Sequence, residues 1–417
     1  MHIMHLTDNF RPVVGGLERA VEALANYWQS EGHTVSIVTA HRDDSKPIEK
    51  IGENITIYRL PLGLARLKNA YESEDKIFFP PSMDLEFSYN FKKLIRKLPR
   101  IDIAHAHGWI VYSSINELYK NKIPVVLGAH DQGQVCAKKT LLDYDDNICE
   151  GPSYIKCLKC SHKNYGLKGY PIVTCLFLSA RKHDKLDSNI AISSQVAELG
   201  GSALKKYRKP MQIIPTFIDS NLLTKAEKAK VPDWAPKDPY ILFAGALSKH
   251  KGVDVLIAAH EKMIKNGYRH KLVLAGIPKT GSMYNTNENL IIVTNKPHDE
   301  ILGATKNAEV AVVPSINPEA FGQSAVEALA CGTALVASKA GGLLDVTANG
   351  KYAELVEVND PVKLYDSIVK ILEDAEYRKK LENLGKKRAK ELTLEVVGPQ
   401  LEKHYRDIIE RKIIKNV

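Results

Sequence analysis

Pro318-Glu319-Ala320-Phe321-Gly322-Gln323-Ser324-Ala325-Val326-Glu327-Ala328-Leu329-Ala330-Cys331-Gly332 decides the reading of the chain. Its small residues predict a helix that begins near Gly322 and ends at Gly332. Glycine permits close approach at the front and a left-handed cap at the back. The first amides of such a helix have no intrahelical partner, and the helix dipole favours an anion there. Glu327 falls about one turn inside, within reach of a diol attached to that anion. Glu319, in the preceding loop, can meet a second polar group. Anion, diol and a second set of hydroxyls together describe a nucleotide sugar. The alternative is a capped core helix that carries one acidic residue.

Outward from this stretch, short apolar runs alternate with longer amphipathic ones. Strands are expected at 3–6, 34–39, 55–60, 101–105, 124–129, 190–193 and 212–215, then at 240–245, 271–275, 290–293, 310–314 and 334–337. Strands interleaved with helices imply parallel sheets with right-handed crossovers, and this number suits two sheets better than one. Lys, Pro and Asp crowd the segment 225–239, which has the composition of a linker. The expected division is a first doubly wound domain over 1–220, a linker over 221–238, a second domain over 239–395 and a terminal helix over 396–417. Leu401, Tyr405, Ile408, Ile409 and Ile413 give that helix an apolar stripe. Two such domains would bind ligands in a cleft outside the strand C-termini.

The chain has 417 residues and is 44% hydrophobic, enough for two cores. A net charge of +9 favours anionic partners without choosing among phosphates, nucleotides and lipid surfaces. No apolar run approaches the roughly 18 residues of a membrane span. The N-terminus reads as a first strand and not a signal peptide, so a cytoplasmic protein with reduced thiols is expected.

Three further motifs carry chemistry. Gly15-Gly16 follows the first strand and opens a helix over about 17–28, a turn whose amides can face a phosphate or merely make a tight bend. Gly245-Ala246-Leu247-Ser248-Lys249-His250-Lys251 ends a strand, and Lys251 can meet a diphosphate or simply join a basic turn. His130 ends another strand, as ligand contact or strand cap; His105, by alternation, points into the core. Phe87, Phe91, Leu94, Ile95 and Leu98 form a helical stripe opposite lysines and arginines, suited to a membrane surface or to a core.

Cys136, Cys149, Cys157 and Cys160 fall within a loop over 136–160 that has little to bury. The Cys157–Cys160 spacing closes tetrahedral metal sites, so a structural zinc on four thiolates is expected. An iron–sulfur cluster, a redox pair, free thiols and substitution of one ligand by His162 are the alternatives. Four sulfurs would leave no open position, so no catalytic metal is expected. Asp143-Tyr144-Asp145 is read as a solvated acidic turn.

Together these motifs resemble glycosyltransferase family 4, retaining transferases of the GT-B fold, over essentially the whole chain. The resemblance implies that Gly15 and Gly16 contact donor phosphate and acceptor, and that His130 faces the donor sugar. It implies Lys251 on the diphosphate, Glu319 on sugar hydroxyls and Glu327 on ribose. Gly245, Phe321 and the amides of Gly322, Gln323 and Ser324 complete the donor site. The family frequently has arginine where Ala246 stands and proline where Ala334 stands. The cysteine loop resembles that of one subgroup, and the last helix of the fold typically returns to the first domain.

The expected reaction is transfer of a glycosyl group from a UDP- or GDP-linked sugar to an acceptor hydroxyl, with configuration retained and His130, Glu319 and Lys251 at the reacting centre. By the resemblance, the leaving diphosphate itself takes the acceptor proton. The acceptor, contacted by first-domain loops over 42–53 and 62–81, is a lipid-linked glycan, polysaccharide or small molecule, with peripheral membrane contact open. The alternatives are a sugar-nucleotide epimerase or a phosphorylase of the same shape, a non-catalytic sugar-nucleotide sensor, and a zinc-stapled nucleic-acid-binding protein. An aromatic content of 7% without basic–aromatic interleaving disfavours nucleic acid.

Overall fold

The computed structural model of the protein describes residues 1–13, 15–42, 45–63, 79–145, 147, 149–203, 211–278 and 284–416. These form two compact units, Met1–Ile214 with Val397–Val417, and Pro215–Val396.

The first unit runs β1 (His2–Thr7), α1 (Gly16–Ser30), β2 (Thr34–Ala40), β3 (Ile48–Ile51), β4 (Ile55–Leu60), α2 (Leu85–Ile95), β5 (Ile103–His107), α3 (Val111–Lys120), β6 (Val125–Ala129), α4 (Tyr154–Tyr165), α5 (Gly169–Ser179), β7 (Ser188–Ala191), α6 (Ser194–Ala203) and β8 (Met211–Ile213). Its sheet has the order β3-β4-β2-β1-β5-β6-β7-β8. All pairs are parallel except β3 with β4. Every residue of β1 is buried, as expected for a strand covered on both faces. The second unit runs α7 (Ser220–Lys228), β9 (Tyr240–Ala244), α8 (Val253–Lys265), β10 (Lys271–Ala275), β11 (Leu290–Val293), α9 (His298–Asn307), β12 (Val310–Val313), α10 (Gln323–Cys331), β13 (Ala334–Ser338), α11 (Gly342–Thr347), β14 (Glu354–Val356), α12 (Pro361–Glu373) and α13 (Ala375–Glu391). Its parallel sheet has the order β11-β10-β9-β12-β13-β14. The last helix, α14 (Leu394–Asn416), begins in the second unit and belongs to the first from Val397 onward.

Several expectations need correction. β3 lies in the segment read as a loop over 42–53. It is an exposed edge strand whose Glu49 and Lys50 obscure the apolar pattern, as charges on edge strands do. β14, absent from the expected strands, is only three residues long, too short to show a period. β5 starts and ends two residues later than expected, which takes His107 into the strand beside His105. The proposed linker contains α7, because Leu222 and Ala226, spaced one turn apart, are buried. The supposed loop over 136–160 contains the start of α4, which packs against α5 through Tyr154–Phe177 and His162–Tyr170 ring contacts. Of the segment 62–81 read as an acceptor loop, residues 64–78 lie outside the described ones.

The aromatic stripe on α2 belongs to the core. Asp84 caps the helix by accepting the Phe87 N–H at 2.8 Å, and Phe87, Phe91 and Ile95 are buried among Leu6, Trp109 and Ile115. Truncation there opens a cavity. Phe87→Ala is expected to cost about 3–5 kcal/mol in urea unfolding of the first unit. It should leave sedimentation with anionic vesicles unchanged, because the ring faces inward.

Candidate functional site

In the second unit a pocket of about 590 Å³ opens where β9 and β12 end. This is the usual ligand position for doubly wound sheets. Its wall includes Gly245 and Ala246 after β9, Ser315 and Glu319 after β12, and Gly322, Gln323, Ser324 and Glu327 around α10.

Gly322 is the N-cap of α10 and adopts φ +101°, ψ 60°. This left-handed conformation suits glycine, and a Cβ there would also lie 2.4 Å from Leu343 Cδ2. The helix has no side-chain cap. The Ala325 and Val326 N–H groups both donate to Gly322 O, at 3.0 and 3.3 Å. The N–H groups of Gln323 and Ser324 have no partner among the described residues and stand at the pocket wall. The helix closes on Gly332, as its sequence predicts. Phe321 is buried and is not part of the lining.

Glu319 is held from three sides. Its carbonyl accepts the Gly342 N–H at 2.6 Å, its Oε1 accepts the Ser315 hydroxyl at 2.5 Å, and Lys251 Nζ donates to the same oxygen at 2.5 Å. Lys251 comes from a short 3₁₀ turn (Lys249–Lys251) before α8. Gly252 lets that turn sit against the end of β12: at φ +73° a Cβ would fall 1.8 Å from Pro314 O. The charge-assisted contact aims the lysine across the pocket wall. Glu327 Oε1 lies 3.0 Å from Nε2 of His298, the first residue of α9. Ser315, His298 and the lining lysine Lys296 were missed in the sequence. Only their position after β11 and β12, at strand ends facing this pocket, signals them.

In the first unit, His130 follows β6 and is half-buried. Its Nε2 lies 2.8 Å from His107 Nδ1. Burial pulls its pKa down to about 4 despite the Asp131 charge, so the ring is neutral. Asp131 Oδ1 accepts the Gly133 N–H at 2.7 Å. Lys139, also missed, lies 4.5 Å over the Trp109 ring and 3.9 Å from Asp131 Oδ2. Burial works to lower its pKa, but the Asp131 and Asp8 charges outweigh that and raise it. Asp8 accepts the Trp109 and Ile110 N–H groups at 3.2 and 2.7 Å, and burial raises its pKa. Gly15 is the extended N-cap of α1, and the space a Gly16 side chain would take is open.

Cys157 and Cys160 lie one turn apart on α4. Burial raises both thiol pKa values, and the neighbouring Cys136 and Cys149 raise them further. The four cysteines therefore converge on one locality. Among the described residues, however, the group with three ligand atoms within 4.8 Å of one another is His5, His105 and His107; no three of these sulfurs approach so closely. The Asp143 carboxylate accepts the Asp145 and Asn147 N–H groups, as an acidic turn does.

Residues 14–222 match the Glycosyltransferase Family 4 model, and residues 224–388 match Glycosyl transferases group 1. An uncharacterised glycosyltransferase of Methanocaldococcus jannaschii is 33% identical over 416 residues, 96% of each chain. The chain belongs to glycosyltransferase family 4.

Solved structures similar to this glycosyltransferase give the fold. Sucrose-phosphate synthase of Thermosynechococcus elongatus matches with a TM-score of 0.70 at 20% identity, over 99% of this chain and 100% of that one. Anabaena HepE, solved with UDP-glucose, matches at 0.64 and 15% identity, over 98% and 100%. The fold is GT-B, and the protein is an enzyme that transfers a glycosyl group. No helix among the described residues is long and apolar enough to cross a membrane.

The buried histidines make the first unit sensitive to acid. Burial lowers the pKa of His5 to about 3 and of His130 to about 4, while an unfolded chain titrates near 6.5. Below that value the unfolded state binds more protons, so stability falls as pH falls. Each such group is expected to cost the native state about 1.4 kcal/mol per pH unit between about 6.5 and its native value. Urea midpoints measured at pH 7.5 and pH 5.5 should show the loss, and substituting His5 by Phe should reduce it.

Proposed function

We propose that this glycosyltransferase takes a nucleoside diphosphate sugar as donor, passes the sugar to an acceptor hydroxyl and retains the anomeric configuration. The supporting observation is the unclaimed N–H pair at the tip of α10 beside a lysine–glutamate contact. An anion at the tip gains two backbone donors and the helix dipole. Lys251 supplies the positive charge that a diphosphate acquires need of as it leaves. Glu319 Oε1 is occupied by Lys251 and Ser315, and its Oε2, without a hydrogen-bond partner among the described residues, is suited to accept from sugar hydroxyls. Glu327, anchored by His298, is suited to the ribose diol. With Glu319 ion-paired, the pocket supports a route in which the leaving diphosphate, not a protein carboxylate, receives the acceptor proton. Protein groups then act by position and electrostatics.

Uridine is the first nucleotide to test, since HepE is a structural neighbour with UDP-glucose bound. In the first unit, His130 is assigned to the donor sugar, and Gly15 and Gly16 to the phosphates, where the open space at Gly16 allows a ligand to come close to backbone. The acceptor is a hydroxyl compound. Removing one charge at a time from the donor pocket gives the direct test. Lys251→Ala and Glu319→Ala are each expected to lower turnover at least about a hundredfold, the scale of one lost transition-state contact. Rates near those of the wild type would refute the assignment.

Cys136, Cys149, Cys157 and Cys160 are proposed as a structural zinc site. Four thiolates are the donor set zinc takes in closed sites, and two of them already share one helical face. Zinc would deprotonate thiols that burial otherwise holds protonated. The purified protein should carry about one zinc per chain, since one set of four ligands holds one ion. The double substitution of Cys157 and Cys160 by Ser should abolish it and lower the melting temperature. Full thermal stability without metal would contradict the site.

A further inference from the structure

Four histidines cluster in the first unit, and the function above uses only one. His5 lies opposite His105 in the register of β1 with β5. His107 is two residues further along β5 and so shares a sheet face with His105. His5 and His107 are fully buried, at 0% exposure. His5 Nδ1 lies 2.9 Å from His107 Nε2, and His107 Nδ1 lies 2.8 Å from His130 Nε2. Three rings are thus joined end to end, from the strand core to the half-buried His130. Gly128 makes room for them: a Cβ there would fall 2.8 Å from His105 Nε2 and 2.9 Å from His130 Nε2. His105 stands beside the chain, its Nδ1 2.5 Å from the Tyr405 hydroxyl.

We propose that His5 and His107 are positioning residues that fix the tautomer of His130, so that its outer nitrogen Nδ1 carries the hydrogen and donates to a sugar hydroxyl. The inference rests on the assignment of His130 to the donor. A neutral imidazole has one N–H and one bare nitrogen. Each link needs one donor and one acceptor, so the three tautomers are locked together. All three rings are neutral, because burial lowers each pKa and no carboxylate other than Asp131, beside His130, opposes it. Two arrangements remain. In one, hydrogens sit on every Nδ1, and the buried Nε2 of His5, which has no partner, is a bare acceptor. In the other, that atom is an N–H with nothing to receive it. Orphaned buried N–H groups are the rarer kind, which selects the first arrangement. His130 then presents Nδ1–H, the less common form of a free histidine side chain.

A cation on His5, His105 and His107 is the rival reading of the same rings. No acidic side chain acts on those three, so a doubly charged ion would sit uncompensated in the core.

The test is long-range proton–nitrogen NMR on the intact chain with ¹⁵N-labelled histidine, free of ligand. His5, His107 and His130 should each show a hydrogen on Nδ1. In His107→Phe, His130 should revert to Nε2–H; in His107→Asn, whose amide can donate to His130 Nε2, it should stay Nδ1–H. With UDP-glucose as probe, the Phe variant should lose about tenfold in kcat, the worth of one hydrogen bond, with KM within about twofold. The Asn variant should recover most of that loss. An Nε2–H tautomer of His130 in the wild type would overturn the proposal, and that spectrum needs no variant to fold. So would equal turnover by the Phe and Asn variants, or zinc-dependent shifts of the His5 and His107 nitrogens. If the wild type neither binds nor turns over UDP-glucose, the donor assignment is at fault, while the spectra still decide the tautomer.

Discussion

A helix that starts at a left-handed glycine, with no side chain to cap it, leaves backbone donors unclaimed. That constraint organises the second unit around α10. Gly322 is required by its φ and by the closeness of Leu343, so no capping side chain can be supplied at that position. The loop before it is fixed through the Glu319 carbonyl and the carboxylate contacts to Ser315 and Lys251. The result is a polar wall prepared before any ligand arrives. Preorganised donors do not have to be ordered when charge develops, which is why such sites are effective.

The first unit uses a different device. Its parallel strands are covered on both faces, so polar residues placed on them must be neutral or paired. Four imidazoles meet that demand by losing charge and bonding to one another or to Tyr405. Tyr405 arrives on α14, which also holds Lys412 2.6 Å from Asp187 and His404 2.8 Å from Ser188. The terminal helix is therefore part of the polar accounting of this core as well as its apolar cover.

Much of this was legible in the sequence because the signals were local. Alternating apolar runs located the long buried strands, and two glycines bounded α10. Glu319 and Glu327 stood out through their spacing around those glycines, and Lys251 through its place in the basic turn that follows Gly245 at a strand end. What was not legible depended on tertiary pairing. β3 carries charges on an exposed edge, and β14 is too short for periodicity. The helix α7 looked like a linker because Lys and Pro dominate its surroundings, while Leu222 and Ala226 reveal themselves only once buried. His298 acquires meaning from Glu327, distant in sequence; Ser315 does so only because the loop after β12 folds back to bring Glu319 onto it; and Lys139 sits in a loop read for its cysteines. The histidine chain joins β1, β5 and the end of β6, so no single segment displays it.

The central claim is that the diphosphate of a nucleotide sugar rests on the tip of α10. A crystal structure with UDP bound tests it most directly. Phosphate oxygens should lie within hydrogen-bond distance of the Gln323 or Ser324 amide and of Lys251 Nζ, with the ribose hydroxyls at Glu327. A nucleotide bound elsewhere, with those amides still facing solvent, would contradict the account.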